Sequence, residues 1–310
     1  MGLCQPLLAL LLAPLLPGVS NRVKALFAGR TGPPILQLYW DLARLLGKGA
    51  VYSRTTTLVF RLAPVMGLAA VVVTLALLPI GGGHSLLAFP GDFVLLAYLL
   101  GLMRFLTVIG ALDTGSSFEG MGASREVQFS ALAEPVLMLA MVALARRTNN
   151  ISLSEIYASV TLDTWIHAGP ALAMVSVALL VVLLAENSRI PVDDPNTHLE
   201  LTMIHEVMVL DYSGPDFAFI LYGAALKLWV FGSLLVGICM PWRTGYVFVD
   251  TCAFLVGMFL LAVVVGVIES TMARLRLLRV PQLLVGAGAI AVVALVLATG
   301  ADTNFFGNTD

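Results

Sequence analysis

Charge is what this sequence has least of. Only 12% of its 310 residues are Asp, Glu, Lys or Arg, against roughly 25% in a soluble domain whose surface has to be wetted. That deficit excludes a soluble globular protein. Cysteine is nearly absent as well: Cys4, Cys239 and Cys252 are the whole supply, and none stands in a C-x-x-C pair. Zinc sites and iron–sulfur clusters need several thiolates or imidazoles brought together, so the sequence predicts no metal centre on this chain and three thiols acting as small apolar residues. A long basic stripe is missing too, and with a formal net charge of −2 nucleic acid is not expected as a partner.

What the chain has is hydrophobicity, at 59% of its residues. About 20 apolar residues cross the roughly 30 Å of a bilayer's hydrocarbon. Runs of that kind occur at about Gly2–Pro17 (extending towards Ser20), Leu58–Ile80, Phe93–Leu112, Phe129–Ala145, His167–Ala185, Phe217–Met240, Phe248–Ile268 and Leu283–Thr299. They are apolar on every face, and in lipid an open-ended segment satisfies its backbone groups only as a helix. The expected fold is therefore an all-α polytopic membrane protein, one transmembrane domain over residues 1–310 with about eight spans and neither soluble domain nor tandem repeat. No basic residue precedes the first run, and Arg22 and Lys24 follow it, which predicts a retained helix rather than a cleaved signal peptide.

The basic residues predict the orientation. Of the seventeen, an N-out, C-out arrangement leaves Arg146, Arg147 and Arg243 outside and Lys227 inside a span. The other thirteen fall on the cytoplasmic side, as the positive-inside rule prefers. The cytoplasmic loops are then about 18–57, 113–128, 186–216 and 269–282.

Three cytoplasmic stretches stand out. From Gly32 to Lys48, Asp41, Arg44 and Lys48 share one helical face and Leu38, Leu42, Leu45 and Leu46 another; this suits an amphipathic helix lying in the interface or packed on its neighbours. From Asp113 to Glu134, Gly115, Gly120 and Gly122 weaken helix, so a break is expected, with the helix restarting near Ala123. From Glu186 to Asp216, seven carboxylates face only Arg189 and two histidines, against the basic bias of that side. His198 and His205 with Glu200 and Glu206 do not make an H-E-x-x-H pattern, and zinc is not expected.

In these stretches the sequence carries Gly29-Arg-Thr-Gly-Pro-Pro34 with Gln37 and Asp41, Gly122-Ala-Ser-Arg125 followed by Glu134, and Glu186-Asn-Ser-Arg189-Ile-Pro191-Val-Asp193 with Pro195, Glu200 and Tyr212-Ser-Gly214. On them it resembles, over nearly its whole length, the membrane anchor shared by respiratory complex I and group 4 membrane-bound nickel–iron hydrogenases, including the formate hydrogenlyase type. Leu226-Lys227-Leu228 and Glu269-Ser-Thr-Met-Ala-Arg274-Leu-Arg276 look like the hydrogenase branch. The resemblance implies a non-catalytic membrane anchor and coupling subunit of an oxidoreductase complex in the cell's inner (cytoplasmic) membrane. It implies no cofactor bound by this chain. Iron–sulfur clusters and the nickel–iron centre would sit on peripheral large, small and iron–sulfur partner subunits, with antiporter-like membrane subunits alongside. The alternatives are the quinone-site subunit of a complex I-like NADH dehydrogenase and, from another class, a free-standing secondary transporter, whose paired repeats are not seen.

A charge inside the bilayer needs a partner or water. Glu134, inside the fourth span, is the foremost candidate for a proton-exchanging carboxyl, reached through Glu119, Glu126 or the acidic loop, with Lys227 the next charge inwards. Glu186 and Glu269 at span ends and Asp193 and Glu200 in the loop complete the ion-coupling candidates, while Arg104 is expected to snorkel to the surface. Docking of the peripheral arm is assigned to Arg30, Gln37, Asp41, Arg125, Arg189, Asp194, Glu206 and Asp211.

Overall fold

The computed structural model describes residues 4–81, 83–193 and 203–303. Among them are eleven α-helices and no strand: α1 Cys4–Leu12, α2 Leu15–Phe27, α3 Gln37–Leu46, α4 Leu58–Leu77, α5 Asp92–Asp113, α6 Ser117–Thr148, α7 Leu153–Ser159, α8 Leu162–Glu186, α9 Gly214–Cys239, α10 Val247–Thr271 and α11 Val280–Thr303. Eight units are long and apolar enough to cross a membrane, α1 and α2 counting together, and the chain is a multi-pass membrane protein. Eight successive crossings start and finish on the same side, where α1 begins and α11 ends. The opposite side, where α2, α5, α8 and α10 finish, carries the loops that matter here and is called the loop end below.

The most enclosed span is α9, which packs against α3, α4, α8 and α10. Around it, α4 pairs with α5, α6 and α8 sandwich α11, and α2 lies on α10. Lipid supplies no hydrophobic drive between spans, so small residues and interhelical hydrogen bonds hold them. On α10, a Cβ at Gly266 would lie 2.9 Å from Ser20 O, and the Ser20 hydroxyl donates to Ala262 O at 2.8 Å. Tyr222 on α9 likewise donates to Leu10 O at 2.8 Å.

Several boundaries differ from the sequence expectation. The first span reaches Phe27 across a break at Ala13–Pro14, so Arg22 and Lys24 lie on helix rather than in a loop; Lys24 is held there by Glu269 at 3.2 Å. The expected break at 113–128 shrinks to three residues, because α6 starts at Ser117 and runs through Gly120 and Gly122 to Thr148. Gly122 serves packing instead: a Cβ there would sit 2.3 Å from Val207 Cγ1 and 2.9 Å from Ile204 O. Pro135 lies inside α6 without ending it, as neighbouring spans allow in a membrane. The helix α7, between spans at the other end, was not anticipated. The helix α3 packs on α9 and α2 yet leaves Trp40 63% exposed.

At the loop end, Asp113 caps α4 from across the chain. Its carboxylate accepts from Thr57 N at 2.6 Å and Phe60 N at 3.3 Å, two donors with no partner inside their helix. Asp113→Ala is expected to lower stability by about 1 kcal/mol, read as a lower thermal midpoint of the detergent-solubilised protein; an unchanged midpoint would contradict the cap.

Candidate functional site

Charged side chains at the loop end meet in one buried row. Its centre is Arg104 on α5, only 7% exposed. Rather than snorkelling to the surface, its guanidinium turns inwards, because α6 and α8 present it with three carboxylates. Nη1 donates to Glu134 at 2.5 Å, Nη2 donates to both oxygens of Glu186 at 2.7 and 2.6 Å, and Nε faces Glu126 at 3.3 Å. Lys227 on α9 reaches Glu186 at 2.8 Å. On the other flank His205 faces Glu126 through Nε2 at 3.1 Å and Asp193 through Nδ1 at 3.5 Å, and Arg274 pairs with Asp193 at 3.2 Å. The row thus reads Lys227, Glu186, Arg104, Glu126, His205, Asp193, Arg274, with Glu134 branching from Arg104. Its alternation of sign is what makes so many buried charges tolerable, since each would otherwise cost several kcal/mol.

The ends of the row outside the spans show the electrostatics directly. Burial alone would lower the His205 pKa, but the Glu126 and Asp193 carboxylates outweigh it and push it up to about 9. Asp193 sits below the usual carboxylate range: burial opposes this, but the hydrogen bond and charge of His205, with Arg274, prevail. The raised His205 pKa makes its contribution fully present below its ordinary value and lost as pH rises through about 9. The depressed Asp193 pKa makes its contribution present above its ordinary value and lost as pH falls. Around neutral pH both hold.

Glu134 is the outlier. Its side chain is 50% exposed on the outer flank of α6, over Gly101 of α5, where a Cβ would lie 3.2 Å from its Oε1. The link from Lys227 to Glu134 runs through Glu186 and Arg104. Glu119 and Glu269 stand apart from the row. Glu119 is buried and accepts from Asp211 N at 3.1 Å. Glu269 lies fully buried between Lys24 at 3.2 Å and Arg189 at 3.3 Å.

The loop closing this end is fixed to α6 and α4. Arg125 donates to Met203 O at 2.9 Å; Tyr212 donates to Phe60 O at 3.1 Å and stacks on its ring at 4.0 Å. Under the loop lies a cavity of about 660 Å³ with two characters. Arg104, Glu126, Glu186, His205 and Lys227 line one wall, and Leu38, Met103, Phe217, Ile220 and Leu221 another. That volume is in the range of small-molecule sites.

Of the residues expected to dock a partner, Arg30 and Glu206 are exposed, as is Asp211, while Gln37 and Asp41 hydrogen-bond to each other at 3.0 Å. Arg125 and Arg189 turn inwards to the contacts given above. Asp194 and Glu200 lie outside the described residues. Among the described residues no group of His, Cys, Asp or Glu is placed to hold a metal ion. The sequence reading missed the central role of Arg104, whose signal was a lone arginine well inside an apolar run, and weighed His205 only as a metal ligand.

Comparison with known proteins fits this architecture. Residues 2–299 match the protein-family model described as NADH dehydrogenase. The chain is 31% identical over 301 residues to formate hydrogenlyase subunit 4 of Escherichia coli K12, covering 95% of this chain and 96% of that one. It is 31% identical over 283 residues to hydrogenase-4 component C of the same organism, covering 89% and 88%. With a chain of the NADH-quinone oxidoreductase of Bacteroides fragilis it shares 28% over 242 residues, 74% of this chain and 65% of the other. The fold is that of a chain in the structure of the membrane-bound sulfane sulfur reductase, an archaeal respiratory membrane complex, with a TM-score of 0.81 over 96% of this chain and 98% of that one, at 19% identity. The chain belongs to the NADH dehydrogenase family of membrane proteins, alongside the formate hydrogenlyase and hydrogenase-4 proteins it resembles.

Proposed function

We propose that this chain is the membrane anchor and coupling subunit of an ion-translocating nickel–iron hydrogenase complex. The observation that carries the reading is the buried row from Arg274 to Lys227, which connects the loop end to the interior of the bundle through alternating charges. The near full-length likeness to formate hydrogenlyase subunit 4 and hydrogenase-4 component C supports the hydrogenase assignment. In this reading the loop end faces the cytoplasm, both termini lie outside the inner membrane, and Arg30, Glu206 and Asp211 meet a peripheral arm that carries the iron–sulfur clusters and the nickel–iron centre. Electron transfer in that arm displaces the loop, and the charge row passes the change to antiporter-like membrane subunits.

Glu134 is the outlet of the row: it pairs with Arg104 inside the bundle and is half exposed on the outside. Glu134→Gln keeps shape and hydrogen bonding but removes the charge. Gradient formation by the reconstituted complex is expected to fall about tenfold, equivalent to about 1.4 kcal/mol on a barrier, with assembly and nickel content unchanged. Full coupling in sealed vesicles would remove Glu134 from the path, and absence of nickel from the native complex would overturn the hydrogenase assignment.

The cavity favours a second reading. Its apolar wall and charged wall suit an isoprenoid quinone, as expected of the quinone-site subunit of a complex I-like dehydrogenase. Reduction of an added quinone by the nickel-free native complex would select it.

A further inference from the structure

Every carboxylate and cation of the row sits on a helix or beside one, except where the row leaves the bundle. There, among the described residues, the connection from Asp193 to Glu126 is made by the side chain of His205, on the loop that closes the cavity. Both of its ring nitrogens face carboxylates: Nδ1 is hydrogen-bonded to Asp193 Oδ2 at 3.5 Å and Nε2 lies 3.1 Å from Glu126 Oε2. With a carboxylate against each ring nitrogen, the charged form is the favoured one and the ring rests as an imidazolium between two anions. It is held in that position by its own backbone, since His205 N and Ile204 N also donate to Asp193 Oδ2, each at 3.2 Å. The ring is 22% exposed and lines the cavity.

Resting on the coupling function proposed above, we propose that His205 is a proton-relay residue, carrying protons from the cavity to Glu126. The step is a proton transfer with no redox component. The imidazolium gives its Nε2 proton to the Glu126 carboxylate and becomes the neutral tautomer that still donates from Nδ1 to Asp193. A proton taken up at Nε2 from the cavity restores the cation. Two features of the geometry fit this use rather than a fixed ion pair. The Nε2–Glu126 contact is close but makes no aligned hydrogen bond, and neither does Arg104 Nε towards the same carboxylate. Arg104 grips Glu134 and Glu186 at 2.5 and 2.6 Å but stands 3.3 Å from Glu126. A small turn of the guanidinium towards its two close partners withdraws the second cation from Glu126, which His205 already approaches more closely, at 3.1 Å against 3.3 Å, and the carboxylate's affinity for the proton rises.

The pH dependence follows from the groups around the ring: Glu126 and Arg125 on α6, Asp193 and Glu206 on the loop, Arg274 after α10, and Arg104, Glu186 and Lys227 further along. The two nearest, Glu126 and Asp193, are anionic and raise the His205 pKa to about 9, so the relay is loaded at neutral pH and empties as pH rises through that value. Proton movement supported by His205 therefore has an alkaline limit.

The test uses the whole native complex in sealed vesicles, with turnover driven by a reduced viologen dye and the pH gradient followed by a trapped indicator. His205→Asn removes the charge and the relay. His205→Arg keeps a permanent cation able to bridge both carboxylates and hold the loop, but it gives up no proton. A positioned proton-transfer group contributes about a hundredfold or more. The rate of gradient formation is expected to fall by that factor in both variants, the alkaline limit near pH 9 appearing in wild type alone. If His205→Arg forms a full gradient, the ring is only a structural cation and the relay is wrong, whether or not the Asn variant assembles. If His205→Asn forms one, His205 has no part in coupling. A wild-type complex that forms no gradient during turnover overturns the coupling function itself, which is a different outcome.

Discussion

Arg104→Gln is expected to cost the protein about 3–5 kcal/mol, the usual effect of removing one partner from a buried ion pair. Glu126 and Glu186 are almost wholly enclosed and would face each other and the half-exposed Glu134 without the guanidinium they share. The amide of Gln is neutral and carries two N–H donors on a shorter side chain, so it cannot replace the guanidinium across all three. Arg104→Lys keeps the charge but replaces a planar fork by a single point, so it cannot serve three carboxylates from two helices at once and is expected to lie between wild type and Gln. Thermal inactivation of the solubilised protein, followed by size-exclusion chromatography after heating, ranks the three. Arg104→Gln as stable as wild type would mean that the carboxylates have protonated or turned away, and that the row is not held from its centre.

Gly122→Val is expected to lift the loop from α6. At the ideal Cβ position the nearest atoms are Val207 Cγ1 at 2.3 Å, Ile204 O at 2.9 Å and Met208 Cγ at 3.0 Å. The side chains have some freedom to move, but the Ile204 carbonyl belongs to the backbone that places His205. Overpacking of this kind costs about 1–3 kcal/mol. Here the cost falls on the loop, so protease cleavage between Met203 and Asp211 should accelerate while the spans stay intact. Gly120, earlier on the same helix and with nothing within 4 Å of its Cβ position, is the control. Gly120→Ala should leave cleavage unchanged. Equal cleavage in all three proteins would show that Gly122 is not a packing position.

The eight spans were legible because lipid imposes a length and an apolar composition that few other structures need. Their loop-side limits were less so, and each error has the same origin: a local feature was given its usual meaning in water or at a surface. The glycines at 120 and 122 read as a break, whereas Gly122 is small so that the loop can touch a continuous helix. Arg22 and Lys24 read as loop because they follow the apolar run, yet α2 carries both, with Lys24 in its last turn and its charge on Glu269. Arg104 read as a snorkelling side chain because sequence spacing does not reveal that Glu126, Glu134 and Glu186, on two other helices, converge on it. Glu186 and Lys227 could be named from their place at or inside apolar runs, and Glu126 as a loop carboxylate leading to Glu134. That Glu186 joins Arg104 to Lys227 was not readable, since it depends on where α8 stops relative to α5 and α9. His205 carried no sequence signal beyond its acidic surroundings.

Among the described residues, the members of the row balance. Lys227, Arg104, the His205 imidazolium and Arg274 face Glu186, Glu126, Glu134 and Asp193 in ion pairs, four positive groups against four negative. Such an assembly behaves as a charged capacitor with no net charge. In a medium of low dielectric, unit charges are felt well beyond contact distance, so one proton added at the Asp193 end cannot be neutralised there by bulk water. In the coupling function proposed above, the imbalance is passed along as a shift in the pairs up to Lys227, without any ion having to travel that distance.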